Sequence, residues 1–346
     1  MIQQQYKITQ PGPLLNERGE LIEKGYSTSL LKTYNRNDIK ACGFRIKEWD
    51  NYIIYNNKIG IAITIDDNSY MGLNSITLFD FDNKNEITKS YMYPFTFGSV
   101  KLPFTTKVGD IKIKARSYEI NILNDGKVRN INLYVKKFKD GCDLKVDFTL
   151  YEQPEDSLVI AIPFPEDKKA FYYNHKILGF KIKGDAYLGN TKLDFDNETT
   201  RGILDWGRGV WTYHNIWYWG AAVGKVNNIE IGFNIGYGFG DTNSASENVI
   251  FVNGKAHKLD QIKIDIPVKE GKEDYMSKWK VSSNNGRFGM DFFPILDKSS
   301  FSSAIIISSD QHQVFGKFTG KMILDDGKVI KIKEFLGFIE KFKNYW

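Results

Sequence analysis

The chain has 346 residues, 42% of them hydrophobic and 26% charged, a composition typical of a globular protein that is too long for one ordinary core. Its excess of five positive charges comes from scattered lysines rather than from a basic run, which argues against a nucleic-acid partner. No apolar run reaches the roughly 18 residues that span a bilayer, and the first ten residues lack the apolar stretch of a signal peptide. We therefore expect a cytoplasmic protein without a transmembrane segment.

Apolar and polar residues alternate with a period of two along most of the chain. Examples are KIGIAITID (58–66), DIKIKARSYEINI (110–122) and KLDQIKIDIPV (258–268). Asp-Gly or Asn-Gly pairs in NDGK (124–127), VNGK (252–255) and DDGK (325–328) predict tight hairpins. Helical periodicity occurs only in the last segment, which has Phe335, Phe338, Ile339, Phe342 and Trp346, and this segment fits a strand as well. The pattern predicts an all-β protein with antiparallel sheets.

Two domains are expected from the length. Three of the nine prolines fall between Pro154 and Pro165, where missing backbone donors make a continuous sheet improbable. We place a boundary there, with an N-terminal domain over residues 1–170 and a C-terminal domain over residues 171–346. The stretch ILNDGKVRNI (122–131) is echoed by ILDDGKVIKI (323–332), which suggests a duplicated β-barrel or a chance repeat of a common hairpin.

Several site chemistries find no support in the sequence. Cys42 and Cys142 lie 100 residues apart and are expected to be reduced, buried thiols. The four histidines show no metal-binding spacing, and neither a P-loop nor a GxSxG motif occurs. The alternating glycines of GYGFGD (236–241) lie in a strand pattern rather than before a helix, unlike a dinucleotide site. We expect no metal and no cofactor.

The stretch DWGRGVWTYHNIWYWG, residues 205–220, holds four of the seven tryptophans. As a strand, residues 211–219 would direct alternate side chains to opposite faces. One face would carry Trp211, Tyr213, Asn215, Trp217 and Trp219, and the other His214. The next strand, EIGFNIGYGFGD (230–241), places four glycines and Asn234 on one side, so something bulky, either indoles or a ligand, must come close. We expect the tryptophan face and the glycine face to meet.

Charged groups accompany these strands. Gly207 and Gly209 would loosen the backbone of DWGRG, so that Asp205 and Arg208 form a pair at a barrel rim. This pair is either a structural tie or, where aromatic walls exclude water, the place of a carboxyl that keeps its proton and acts as a general acid. The candidate catalytic residues are Asp205, Arg208, His214 and Glu247. The candidate ligand-binding residues are Trp206, Trp211, Tyr213, Asn215, Trp217, Trp219, Asn234 and Asn248.

A second charged group lies near the N-terminus, in YNRNDI and RIKEWDNY. Arg36, Arg45, Glu48, Trp49 and Asp50 could reach across between the domains, or form charged surface pairs around one buried tryptophan. We favour the second interpretation.

These motifs, with LDWGRGVWTYHNIWYWG and SENVIFVNGKAHKLD, resemble an uncharacterised family known as domain of unknown function 2804, from about residue 10 to the C-terminus. More remotely, the chain resembles the double lipocalin-like (calycin-type) barrels of carotenoid hydratases, AttH-like proteins and tocopherol cyclases. That resemblance implies two antiparallel barrels packed together. It also implies an acidic residue in an aromatic pocket that protonates an isoprenoid alkene. Asp205 is the first candidate for this residue, and Glu247 the second.

The leading hypothesis is a protein that binds an apolar, isoprenoid- or lipid-like small molecule. Cofactor-free acid catalysis of hydration, isomerisation or cyclisation would suit such a site, because aromatic faces attract cations. A non-catalytic, lipocalin-like carrier is one alternative. A carbohydrate-active protein is another, since tryptophans stack on sugar rings and paired carboxylates cleave glycosides.

Overall fold

The computed structural model describes residues 5–304 and 307–345 and confirms that the protein is all-β. Strands β1–β9 are Gly12–Pro13, Gly25–Ser27, Lys32–Thr33, Ile46–Tyr55, Ile59–Asp67, Met71–Asp80, Asn85–Pro94, Ile111–Lys114 and Tyr118–Asn124. Strands β10–β18 are Arg129–Lys139, Cys142–Tyr151, Leu158–Phe164, Asp167–Leu188, Thr191–Lys192, Arg201–Val210, His214–Val226, Ile229–Tyr237 and Val249–Val252. Strands β19–β26 are Lys255–Lys258, Ile262–Asp265, Val268–Lys269, Lys272–Glu273, Trp279–Ser283, Phe288–Ala304, Ile307–Ile323 and Val329–Tyr345.

Within the described ranges the only helical elements are two 3-10 turns, Arg36–Asp38 and Gly43–Arg45. None of the helices found there is long and apolar enough to cross a membrane.

Two large sheets are built from these strands. The first has 13 strands, with the main order β7-β6-β5-β4-β15-β13-β11-β10-β9-β8; β12 and β14 pair with β13, and β2 pairs with β12. The second has nine strands in the order β19-β18-β17-β16-β26-β25-β24-β23-β20. Both are curled, antiparallel half-barrels. The sheets share apolar packing, because Phe315 of the second contacts Tyr55 and Phe79 of the first.

The first sheet extends well past the proline-rich segment. Strand β12 forms within that segment and pairs with β13, while Pro154 and Pro165 lie in the connections on either side of it. The missing donor of Pro163 is accommodated because the register of this pair shifts between Pro163 and Phe164. Strand β13 runs across residue 170, and the change from one sheet to the other falls between Val210 and His214. The division of the chain at residue 170 stays a prediction.

The predicted hairpins are confirmed. NDGK joins β9 to β10, VNGK joins β18 to β19, and DDGK joins β25 to β26. Asn253 and Gly254 both have positive φ, 48° and 76°, as a two-residue hairpin turn requires. The C-terminal segment with ambiguous periodicity is strand β26, which pairs with β16 and β25.

Strand β15, which contains DWGRG, is the main correction to the sequence analysis. It is a central strand between β4 and β13 and is buried on both faces, not a loosened rim. Gly207 is required for another reason: a Cβ there would lie 1.9 Å from the Trp49 ring. The expected burial of the two cysteines is also wrong, since Cys42 and Cys142 are both free and exposed.

Candidate functional site

A cavity of about 210 Å³ lies between the two sheets. From the first sheet and its connections it is lined by Trp49, Asn51, Ala62, Thr64, Asp66, Asn68, Leu73, Ser75, Tyr172, Lys176 and Asp205. From the second sheet and its connections it is lined by Trp211, Trp217, Tyr218, Trp219, Tyr237, Phe239, Glu247, Lys298, Ser300, Gln311, Gln313, Glu340 and Phe342. Most of these side chains alternate along their strands, as one face of a pleated sheet requires. Neither sheet alone would enclose the space.

One wall of the cavity is a continuous aromatic surface. The Trp211 ring lies 5.1 Å from that of Trp49, 5.8 Å from that of Trp217 and 4.7 Å from that of Phe239. Trp49 also stacks on Tyr172, with centroids 6.0 Å apart. Aromatic faces carry negative potential, so such a wall favours both apolar groups and a developing positive charge.

Asp205 lies in this cavity as a hydrogen-bond acceptor. Its Oδ1 atom accepts from the Lys176 ammonium at 2.9 Å and from the Asn174 amide at 2.7 Å. Its Oδ2 atom accepts from the Trp49 indole at 3.1 Å. Three donors, one of them charged, surround the carboxylate and fix its orientation.

Lys176 connects this carboxylate to the second sheet. Its ammonium group lies 3.9 Å from the centre of the Trp219 ring while it pairs with Asp205. The Trp219 indole in turn donates to Asn234 Oδ1 at 2.7 Å, and Asn234 Nδ2 donates to the backbone oxygen of Glu247 at 2.7 Å. These contacts hold the Lys176 ammonium group, which belongs to the first sheet, against the Trp219 ring of the second sheet.

Glu340, on β26, is a buried carboxyl of the cavity with a raised pKa. Burial raises its pKa to about 7, although the indole N–H of Trp217 opposes part of the rise. That indole donates to Glu340 Oε1 at 3.0 Å, and the Gln313 amide donates to Oε2 at 3.1 Å. A carboxyl of this kind is about half protonated at neutral pH, as a general acid needs to be.

Two further carboxyls face the cavity. Burial raises the pKa of Asp66 to about 7, opposed by the hydrogen bond from the Leu73 backbone N–H. Burial also raises the pKa of Glu247, opposed mainly by the charge of Lys176. Gly236 lies close to Glu247, since a Cβ there would be 3.0 Å from the Glu247 carboxylate, so this glycine makes room for the acid.

Lys298 is a second cation of the cavity, and its surroundings differ from those of Lys176. Its ammonium group forms no hydrogen bond and no ion pair within the part of the chain that the structure describes. The ring of Phe79 lies at the outer limit of a cation–π contact, with its centroid 6.0 Å away. Burial lowers the pKa of Lys298, opposed by the charges of Glu86 and Glu340. An oxygen-bearing ligand would supply a partner for this ammonium group.

The structure brings five of the predicted residues into the cavity: Asp205, Glu247, Trp211, Trp217 and Trp219. The expected meeting of the tryptophan and glycine faces is confirmed, because Trp219 of β16 lies directly opposite Gly236 of β17. Trp211 precedes β16 rather than belonging to it, yet its ring still turns into the aromatic wall.

Asp205 and Arg208 do not form the predicted pair. They lie three residues apart on one strand, so they point to opposite faces. Arg208 Nη2 donates to Asp50 Oδ1 at 2.8 Å, and its guanidinium lies 4.2 Å from the Trp206 ring. Trp206 and Arg208 therefore belong to a buried network inside the first sheet, away from the cavity. Glu48 and Asp50 are also fully buried there, so the expected surface pairs are wrong.

Five other predicted residues lie outside the cavity. Tyr213 and His214 are exposed and contact Tyr345, with His214 stacked on its ring at 4.5 Å. Asn215 is buried at the start of β16, where its amide donates to the Thr212 backbone oxygen.

Asn248 is a structural residue that accepts from the Gly236 N–H and donates to the backbone oxygen of Asp260. Asn234 is not itself in the cavity lining and acts through Trp219.

Sequence reasoning missed Tyr172, Lys176, Lys298 and Glu340. Lys176 and Tyr172 occur in FYYNHKIL, where polar residues interrupt a long apolar run, and this was the only available signal. Glu340 occurs in GFIEKFK, between Phe338 and Phe342 on the same face of a predicted strand. A charged residue on an otherwise apolar face was a comparable signal. Across residues 5–304 and 307–345, no group of three or more His, Cys, Asp or Glu side chains is arranged to hold a metal ion.

Solved structures similar to this chain share little sequence with it. A putative AttH from Nitrosomonas europaea has 13% identity and a TM-score of 0.44, covering 90% of this chain and 97% of its own. Kievitone hydratase from Nectria haematococca has 10% identity and a TM-score of 0.46, with coverage of 91% and 96%. CghA has 8% identity and a TM-score of 0.43, with coverage of 97% of both chains.

No curated protein sequence matches the chain. A family sequence profile does match, over residues 5–346, which is nearly the whole chain. The protein therefore belongs to the family described as domain of unknown function (DUF2804).

Proposed function

We propose that the cavity binds a small amphipathic molecule containing an alkene, and that Glu340 protonates it without a cofactor. The observation that carries this proposal is Glu340 itself: a buried carboxyl with a pKa of about 7, held by Trp217 and Gln313 beside an aromatic wall. Hydration, isomerisation and cyclisation of an alkene share this first step.

In each of these reactions Glu340 first donates a proton and is later reprotonated. The proton of Glu340 forms a C–H bond with the electron pair of the C=C bond, leaving a carbocation that the rings of Trp211 and Trp217 stabilise. In hydration, water adds to the cation and loses one proton, and the Glu340 carboxylate is reprotonated. In isomerisation or cyclisation, the cation loses a different proton to Glu247, and proton exchange with water then restores the carboxyl of Glu340 and the carboxylate of Glu247.

Asp205, the acid favoured from sequence, is better suited to another role. Its carboxylate is occupied by Lys176, Asn174 and Trp49, so it positions the cation and the indole rather than offering a free proton. Glu247, the second candidate, is a buried acid with a raised pKa and takes the place of a proton acceptor from the intermediate.

The dimensions and lining of the cavity restrict the ligand. The cavity volume of about 210 Å³ is smaller than the roughly 300–1,000 Å³ of typical small-molecule sites, and it suits a ring system better than a long isoprenoid chain. Hydroxyl and amide groups of Thr64, Ser75 and Gln311 share the lining with the tryptophans. A ligand with a ring-sized unsaturated part and an oxygen group directed at Lys298 fits this combination best.

Deuterium incorporation is the test. The purified protein is incubated in D₂O with limonene, geraniol and 4-prenylphenol, and carbon-bound deuterium is measured by mass spectrometry. Glu340→Gln should reduce incorporation by about a hundredfold or more, as general-acid catalysis contributes that much. The exposed acid Glu166, changed to Gln, is the matched control. Equal incorporation by wild type and Glu340→Gln would rule out the proposed role.

The two alternative functions are outcomes of the same experiment. Four of the seven tryptophans line the cavity, so ligand binding should change the intrinsic fluorescence. A compound that alters fluorescence but is returned unlabelled and unchanged would favour a carrier. Release of the phenol from aryl glycosides, dependent on Glu247 and Glu340, would favour a carbohydrate-active protein. A cytoplasmic location remains part of the proposal and is tested by fractionating cells.

A further inference from the structure

Four large apolar side chains are exposed to solvent in the edge strand β7, in the residues that follow it and in the 3-10 turn Gly43–Arg45. Met92 is 70% exposed, Phe95 69%, Phe44 53% and Phe97 43%. The Phe97 ring contacts that of Phe44 at 4.9 Å and lies parallel to that of Phe95 at 6.4 Å. Single exposed apolar residues are ordinary, but a contiguous group marks an interaction surface. We call the three phenylalanines in ring contact, together with Met92 three residues before Phe95, the aromatic patch.

The backbone holds the aromatic patch outward at a conformational cost. Phe95 and Phe97 have φ values of 55° and 43°, in the left-handed region that bulky residues rarely adopt. The buried carboxylate of Asp67 fixes this turn, since it accepts from the Thr96 hydroxyl at 2.8 Å and from the Gly98 N–H at 2.7 Å. Backbone strain of this kind persists where the surrounding structure imposes it. The fixed turn prevents the Phe95 and Phe97 rings from folding back onto the sheet.

The two segments that contribute the aromatic patch carry basic side chains, one of which, Arg45, is paired with Asp167. These segments, residues 39–47 and 87–109, contain no Asp and no Glu. Their exposed charged side chains are Lys40, Lys89, Lys101 and Lys107. Exposed aromatic residues combined with lysines complement an anionic lipid surface, in which rings enter the headgroup layer and ammonium groups contact phosphates.

We propose that the aromatic patch docks the protein on an anionic lipid surface. The position of Met92 supports this choice of partner: it lies on the edge strand β7, directly opposite Leu73 of β6, which lines the cavity. Docking through the aromatic patch brings the cavity close to the lipid, where amphipathic molecules are concentrated. The docking is independent of the reaction proposed above, since it requires none of the cavity's acids.

Vesicle sedimentation tests the proposal. The full-length protein is mixed with vesicles of phosphatidylcholine alone, or of two parts phosphatidylcholine to one part phosphatidylserine, and the bound fraction is measured. We expect binding to the mixed vesicles, and a loss of more than tenfold in the double variant Phe95→Asn/Phe97→Asn. Lys101→Asn should weaken binding about fivefold, the effect of one lysine near a charged membrane surface.

The choice of asparagine separates docking from folding. Asparagine tolerates the left-handed backbone, so the double variant should unfold at the same temperature as the wild type or a higher one. Phe301→Asn is the matched control, because Phe301 is 73% exposed but lies on β24, outside the aromatic patch. Failure of the wild type to bind mixed vesicles, or unchanged binding by the double variant, overturns the proposal. Self-association that the double variant abolishes, without vesicle binding, would assign the aromatic patch to a second copy instead.

Discussion

Replacing Glu340 with Gln is expected to stabilise the protein above neutral pH and to change little in acid. The pKa of Glu340 is about 7 in the folded protein against an ordinary value of 4.5. The folded state therefore binds this proton more tightly than the unfolded state. Its stabilising contribution is complete below the ordinary pKa and is lost as pH rises through the folded pKa. A difference of about 2.5 pKa units corresponds to roughly 3 kcal/mol in the free energy of unfolding.

Urea unfolding, followed by tryptophan fluorescence at several pH values, measures this effect. In the Glu340→Gln variant the amide oxygen still accepts from the Trp217 indole, but the side chain cannot ionise, so the variant lacks the pH dependence. The stability of the variant minus that of the wild type should grow by about 3 kcal/mol between about pH 4 and pH 8. Glu166→Gln should show no such trend. A difference that stays constant with pH would mean that Glu340 is ionised at neutral pH and cannot donate the proposed proton.

Three further predictions concern packing and thiols. Gly207→Ala should cost about 1–3 kcal/mol and displace Trp49 from Asp205, because the new methyl group overlaps the indole; unchanged urea stability would contradict this packing. Lys176→Met should cost about 3–5 kcal/mol by leaving Asp205 buried without its cation, and Lys176→Met/Asp205→Asn should recover part of that loss; a fully stable single variant would refute the pairing. Both cysteines should react with Ellman's reagent without denaturant, and fewer than two equivalents would show that one is buried.

The strands could be predicted because their signals are local. Period-two alternation and Asn-Gly or Asp-Gly turns act over a few residues, and the meeting of Trp219 with Gly236 involves consecutive strands. The role of Gly207 could not be predicted in this way. Its missing side chain makes room for Trp49, a residue 158 positions earlier that only the pairing of β4 with β15 brings into contact.

The acid of the cavity was missed for the same reason. Glu340 becomes a candidate only once β26 lies beside β16, with Trp217 next to Phe342 and Trp219 next to Glu340. Pairing across more than 100 residues leaves no trace in local periodicity. Its raised pKa depends on burial between two sheets, a property of the assembled fold that neighbouring residues do not encode.

The charged residues on the two faces of β15 affect how this strand finds its register against β4 and β13 during folding. A slip of one residue against β13 would turn Asp205 away from Lys176, and a slip against β4 would turn Arg208 away from Asp50. Each slip would strand two opposite charges in apolar surroundings, at a cost of several kcal/mol apiece. The ionic groups on this strand thus fix its alignment, and misaligned folding products should be scarce.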